Sequence, residues 1–367
     1  MKQDIKVIVS DSQPNSNLPG RLGNPDLQLR NDPRAEPRLI EVLAAFGMDV
    51  QPEPAPVTAE STYQDCLAYF KEVEIGYEAL YTPLHHGLPD LGNVRSTEII
   101  TGVDGNEIAL YIHRPSKVEK DLPCVVHLHG GGMVFLKAAD VNYVRWRDEL
   151  SVNDMVVIGV EFRNGGGALG NHPYPAGLND CASAIRWVHA NKKELGVSHI
   201  VVSGESGGGN LSLAVALKAK KEGWLSEISG VYAMCPYISG MYANPPSDLV
   251  SMRENDGYTI NLSMMGALAK AYDPEGENHE NPLAWPYHAK LDVLDGLPPH
   301  TISVNELDPL RDEGLAYHHK LLAAGVSSVT RTVKGTCHGS DCVSPAVMPD
   351  VYAATVGDIT KFTRSLV

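Results

Sequence analysis

Long hydrophobic runs are missing from this chain of 367 residues: no stretch approaches the ~20 consecutive apolar residues that cross a bilayer, so stable membrane insertion is not expected. Positive charge is also scarce. Thirty Lys and Arg stand against 45 Asp and Glu, and the net charge of −15 would repel the phosphates of nucleic acid and the anionic face of a membrane. Cysteine is sparse too: Cys66, Cys124, Cys181, Cys235, Cys337 and Cys342 are scattered, the pattern of reduced thiols rather than of a disulfide framework. Cys337 and Cys342 lie close together, but a C-x4-C without further ligands is a poor zinc signature, so no metal site is expected. The apolar run at residues 5–9 is short and sits between Asp4 and Asp11, unlike the core of a secretory signal, and the expected compartment is the cytoplasm.

What is present is the composition of a packed globule. With 43% hydrophobic and 20% charged residues the chain can bury a sizeable core, and its length is that of roughly two structural units. Proline and polar residues dominate 14–37, which predicts an extended arm, followed by helical spacing over 37–46 and 63–80. From residue 94 the texture changes: β-branched runs at 96–100 and 107–114 flank Asp104-Gly105-Asn106, a hairpin turn. Further strand patterns follow at 124–129, 155–162, 200–204, 230–234, 301–305 and 329–333, with amphipathic helices such as 179–191 and 315–324 between them. Strand and helix in alternation predict a mostly parallel eight-stranded sheet with helices on both faces. Residues 239–298 break the rhythm with prolines and helical pieces, including 262–272, and read as a helical cap inserted at the top of the sheet. The expected organisation is therefore an arm and cap helices over 1–92, a core over 93–238, the cap insertion over 239–298, and the rest of the core over 299–367.

Thirty-four glycines carry most of the functional signal. Residues 165–170, GGGALG, formally satisfy the G-x-G-x-x-G of dinucleotide binding, which needs a helix to open at the third glycine. Here Pro173 and Pro175 keep the chain extended first, so the segment reads as a flexible loop beside the site. Gly204-Glu205-Ser206-Gly207-Gly208 matches G-x-S-x-G in the context it requires, after a strand and before a helix over 208–221. Such a turn pushes the serine hydroxyl outward, and side chains at 204 or 208 would collide with the neighbouring strand and helix. Lysines at 218, 220 and 221 near Gly223 mark the carbonyl end of that helix, so its positive end faces Ser206. His129-Gly130-Gly131-Gly132-Met133 follows another strand, and its unshielded N–H groups suit an oxyanion hole made of Gly131, Gly132 and Gly207. His129 reads as a support for that loop rather than as a base.

A serine nucleophile needs a base and a group to orient it. Among 14 histidines, His338 follows the last strand in Gly335-Thr336-Cys337-His338-Gly339, whereas His318 and His319 fall inside a helix and His85, His86 and His279 lie far from any strand end. Glu306, Asp308 and Asp312 cluster after the strand at 301–305; Pro309 holds Asp308 at the strand end, while Asp312 and Glu313 suit the first turn of the next helix. The chain order Ser206, Asp308, His338 is that of the α/β-hydrolase fold.

The segments HGGGM (129–133), HPYPAGLNDC (172–181), GESGGGN (204–210), NELDPLRDEG (305–314) and CHG (337–339) together resemble the hormone-sensitive lipase family of esterases. That resemblance implies the triad and oxyanion donors named above, and a cap that combines the N-terminal helices with the insertion after Tyr237. It departs from the family at Glu205, where aspartate is common, at Gly207, where alanine is, and in the glycine loop after Phe162-Arg163-Asn164, which alters a wall near the site. The expected function is hydrolysis of a small-molecule carboxylic ester, lactones included, through an acyl-enzyme and without a cofactor. Met133, Phe135, Tyr237, Tyr258 and Trp285 are the candidate substrate contacts. The alternatives are an acyltransferase or amidase with the same triad, and a non-catalytic small-molecule receptor on the same scaffold. Pairing into a homodimer is left open.

Overall fold

Strand β1 (Val94–Thr101) turns into β2 (Glu107–Arg114) at Asp104-Gly105-Asn106, with Thr101 opposite Glu107 and Gly105 at φ +82°, a left-handed conformation that glycine adopts without strain. The computed structural model describes residues 18–117 and 120–366; the apolar run at 5–9 and the start of the proline-rich stretch lie outside them. β3 (Leu122–Leu128), β4 (Val156–Glu161), β5 (Val197–Glu205), β6 (Gly230–Met234), β7 (His300–Asn305) and β8 (Ser328–Val333) complete one sheet in the order β1-β2-β4-β3-β5-β6-β7-β8. β2 runs antiparallel to both neighbours, and all the other pairings are parallel.

Alternation along the strands sorts the core into two layers. Val125, Val157 and Val201 point to one face, where they pack with Trp146 and Leu150 of the helix Val141–Ser151 and with Tyr352, Val356 and Ile359 of Pro349–Arg364. Val126, Ile158 and Val202 point to the other, into a core shared with the helices Ala176–Ala190, Gly207–Glu222 and Arg311–Ala323. Both faces are thereby covered, which is why the central strands read as nearly continuous apolar runs.

The stretch before residue 37 is not an extended arm where the structure describes it. It folds back in two short helical turns, Gly20–Gly23 and Leu29–Asn31, with Leu29 buried. The reason is long-range: Arg30 pairs with Asp49 at 2.8 Å, Arg34 pairs with Glu254, and Asp32 accepts from the Tyr258 hydroxyl at 3.0 Å. Residues 239–298 hold no strand, as expected, and their helix Leu262–Tyr272 packs against the N-terminal helix Tyr63–His85.

One buried acid ties the helix after β7 to the chain after β6. Glu313 accepts from the Ile238 N–H at 2.7 Å and from the Tyr242 hydroxyl at 2.9 Å, and burial pushes its carboxyl up from 4.5 to about 8. The folded state therefore keeps a proton that the unfolded chain releases above about pH 4.5, so this group's contribution to stability falls as pH rises from about 4.5 to 8. Glu313→Gln keeps the accepting oxygen and is expected to flatten that fall. Melting temperatures at pH 5 and pH 8 test this; equal falls in the two proteins would refute it.

Candidate active site

Four loops leave the carboxyl ends of parallel strands and meet above the sheet, where α/β proteins place their ligands. β3 and β5 are neighbours, with Leu128 opposite Gly204, so the glycine loop after β3 and the serine turn after β5 lie side by side. Ser206 occupies φ +56°, ψ −116°, a strained conformation for any residue with a Cβ. Such strain is expected of a G-x-S-x-G turn set between a strand and a helix. The flanking glycines are required by packing: a Cβ at Gly208 would lie 2.6 Å from the Leu128 carbonyl carbon, and one at Gly204 would lie 2.6 Å from that of Gly208. The helix Gly207–Glu222 starts at once, ends at Gly223 in the left-handed conformation, and carries Lys220 and Lys221 in its last turn, which aims its positive end at Ser206.

The backbone N–H groups of Gly131 and Gly132 have no hydrogen-bond partner among the described residues, and Gly207 at the first helical position has no intrahelical one. Gly132 and Gly207 are packed so closely that a Cβ on Gly207 would fall 2.7 Å from the Gly132 nitrogen. The preceding Gly130 N–H is held elsewhere, by the Glu205 carboxylate at 2.6 Å and the Tyr143 hydroxyl at 3.2 Å, and Glu205 also accepts from His127 Nε2 at 3.1 Å. Glu205 thus locks the glycine loop to the serine turn. Gly131 (φ +91°) and Gly132 (φ +61°) are both in the left-handed region; a Cβ at Gly131 would fall onto the Phe135 carbonyl, whereas one at Gly132 would meet the Leu268 side chain at 3.0 Å. Gly131→Ala is expected to lower kcat by ~10²–10³, the value of a displaced oxyanion donor, and Gly132→Ala by less. Steady-state kinetics on one ester ranks them, and the reverse order would overturn the reading.

Asp308 is fully buried after β7, and His338 sits after β8. Against a carboxylate the His338 Nδ1 must carry its proton; it donates to Asp308 Oδ2 at 2.8 Å, while the Leu310 N–H donates to Oδ1 at 2.9 Å. Burial disfavours the imidazolium, but the Asp308 carboxylate and the Cys235 thiol outweigh it and hold the His338 pKa well above the ordinary 6.5. Glu306 accepts instead from the Gly335 N–H at 2.9 Å and so braces the histidine loop, and Asp312 and Glu313 lie in the first turn of Arg311–Ala323. His129 is stacked on Phe162 with ring centroids 4.1 Å apart, and burial depresses its pKa to about 3, so it is a neutral support.

Ser206, His338, Gly131, Gly132, Phe135 and Tyr237 line one cavity. Met133, Tyr258 and Trp285 do not. Met133 is buried and takes the Gly165 N–H on its carbonyl at 2.9 Å; Tyr258 is bound to Asp32; Trp285 packs edge-on against Tyr237 and Tyr272. Aromatic content alone could not separate pocket wall from packing. The loop at 165–170 is a second correction. It is pinned rather than flexible: Gly165 and Gly166 donate to the Met133 and Val134 carbonyls at 2.9 Å, and Ala168 donates to Glu74 at 2.6 Å. Its glycines lie behind the glycine loop after β3 and not in the cavity wall.

The model of the alpha/beta hydrolase fold family matches residues 125–341. The chain belongs to that family. It is 34% identical over 287 residues to Carboxylesterase NlhH of Mycobacterium tuberculosis (strain CDC 1551 / Oshkosh), covering 76% of this chain and 84% of that protein. Among solved structures, brefeldin A esterase, a bacterial homologue of human hormone-sensitive lipase, aligns with TM-score 0.91 and 44% identity over 95% of this chain and 98% of that one. Esterase Est22 aligns with TM-score 0.82 and 38% identity, over 92% and 99%.

Sequence reasoning missed three features of this hydrolase. Glu74 accepts from the N–H groups of Leu136 and Ala168, tethering the N-terminal helix to both glycine loops; its signal was an acid in register with Cys66 and Phe70 on the buried stripe of that helix. Glu205 was noted only as a departure from aspartate. Cys235 was unsuspected: it has φ +33°, lines the cavity, and its sulfur converges with His338 and Asp308 so that their donor atoms lie within 4.8 Å of one another. A metal ion held by all three would compete for Asp308 oxygens already bound to His338 and Leu310.

Proposed function

We propose that Ser206, His338 and Asp308 hydrolyse carboxylic esters through an acyl-enzyme, with the N–H groups of Gly131, Gly132 and Gly207 as the oxyanion hole. The protein is a serine carboxylesterase. The observation that carries the residue assignment is the strained Ser206 turn opening on the same cavity as the His338–Asp308 pair, beside glycine N–H groups left without backbone partners. His338 takes the proton of Ser206 as the hydroxyl attacks the ester carbonyl, and the glycine amides hold the developing oxyanion. Asp308 keeps the imidazole in its tautomer and stabilises its cationic form; His338 then protonates the leaving alkoxide and later activates water.

The cavity adds a substrate class. Its lining holds no Lys or Arg among the described residues and is dominated by Leu, Val, Met and aromatic side chains from the helices Pro37–Ala45, Tyr63–His85 and Leu262–Tyr272, which serve as the cap. Such a lining suits a neutral, apolar ester. Turnover of short-chain and long-chain aryl esters and a macrocyclic lactone, with and without an added alcohol, tests the reading. Ser206-dependent release of free acid supports it; transfer to the alcohol outpacing hydrolysis would make the protein an acyltransferase, and binding without turnover would make it a receptor.

A further inference from the structure

Outside the catalytic cavity an apolar groove runs along the N-terminal helix Tyr63–His85, lined by Phe46, Met48, Val73, Gly76, Tyr77 and Leu80 among others, none of them charged. Met48, Tyr77 and Leu80 also line the cavity that holds Ser206 and His338, so groove and cavity share a wall made of three side chains. Tyr77 reaches inward from that wall to Phe135, with ring centroids 5.5 Å apart, and Phe135 follows the oxyanion loop. Met48 is unbranched and flexible, a side chain suited to move aside.

Gly76 is the telling position. It lies in the interior of a 23-residue helix, where glycine is the worst ordinary residue after proline. Packing does not require it, since a Cβ there would meet nothing within 4 Å, and its φ lies outside the left-handed region. Gly76 lines the groove, so a bulky side chain at that position would occupy it. On the outer lip Phe46 remains 40% exposed.

We propose that this groove is a subsite for the far end of a long unbranched alkyl chain, threaded past Met48, Tyr77 and Leu80 from an ester whose carbonyl sits at Ser206. The inference rests on the esterase reading of Ser206 and extends it to long-chain neutral esters. Filling the groove with Gly76→Trp should cut kcat/KM for a long-chain ester by about tenfold, the value of roughly two buried methylenes. The loss should enter through KM and leave the short-chain ester within about twofold. Nitrophenyl butyrate and decanoate probe a chain on the acyl side, and butyl and decyl butyrate one on the alcohol side. Gly76→Ala, which strengthens the helix and barely fills the groove, should keep the wild-type chain-length preference. Failure of any ester to turn over, or equal turnover by Ser206→Ala, would defeat the esterase reading itself. Ser206-dependent turnover of short esters with a long-to-short ratio unmoved by Gly76→Trp would defeat the groove proposal alone, as would a wild type that accepts neither long ester.

Discussion

A Ser206→Ala variant is expected to lose about six orders of magnitude in kcat on an activated aryl ester while its KM changes little. The loss is large on the proposed mechanism, in which the hydroxyl bonds to the acyl group and no interaction elsewhere replaces a missing nucleophile. Alanine keeps the Cβ, so the turn at φ +56° carries the same strain before and after the change, and its backbone bonds are untouched: Ser206 N–H still donates to the Met234 carbonyl and Asn210 N–H to the residue 206 carbonyl. The fold should therefore survive, and an unchanged melting curve is the control. A residue of ~10³-fold acceleration over water should remain from the glycine donors and from binding. Turnover within tenfold of wild type would remove Ser206 from the chemistry.

Asp308→Asn is expected to cost ~10⁴ in kcat, through tautomer and charge rather than shape. Its two oxygens hold the His338 Nδ1–H and the Leu310 N–H, and an amide of the same shape can offer an NH₂ to the ring and stabilise the wrong tautomer. The pH profile separates this from a structural defect. His338 acts as a base only when neutral, so kcat/KM falls as pH drops through its pKa. Burial disfavours the imidazolium, and Asp308 and Cys235 overcome it, so the acid limb of the wild type should lie above 6.5. Without the carboxylate, burial is opposed by less, and the limb should move to lower pH. A profile of kcat/KM from pH 5 to 9 for both proteins decides the matter; a limb that stays in place would mean that Asp308 does not face the catalytic base.

Much of the architecture was legible because its signals are local. Each strand of the sheet falls where a β-branched run lies between turn residues, and β5 differs mainly in starting at Val197, ahead of the apolar run that marks it. Gly105 and Gly223 stand at positive φ where their neighbours predicted a turn and a helix end. The strained turn at Ser206 was legible for the same reason, since glycines at 204 and 208 around a serine answer a steric demand made within five residues. The rest was not local. Tyr258 lies 226 residues after Asp32 and Glu254 lies 220 after Arg34, and nothing beside the proline-rich stretch announces the bonds that fold it back. Tyr237 and Trp285 are both buried aromatics in contact, yet only Tyr237 lines the cavity.

The sequence by itself determined the class of chemistry: strands and helices in alternation, two glycine-rich turns after strands, and a serine, an acid and a histidine in hydrolase order. Those features rest on backbone sterics and periodicity, which act over a few residues and can be read in one dimension. Tertiary structure alone decided which side chains line the cavity. The wall contributed by Leu39, Leu43 and Tyr77 comes from helices more than a hundred residues before Ser206, and the carboxylate of Glu205 reaches Gly130 only because β3 and β5 are neighbours in the sheet. A pocket is shaped by which elements pack together, and that packing is set by the summed burial of the whole chain, with no trace in any single segment.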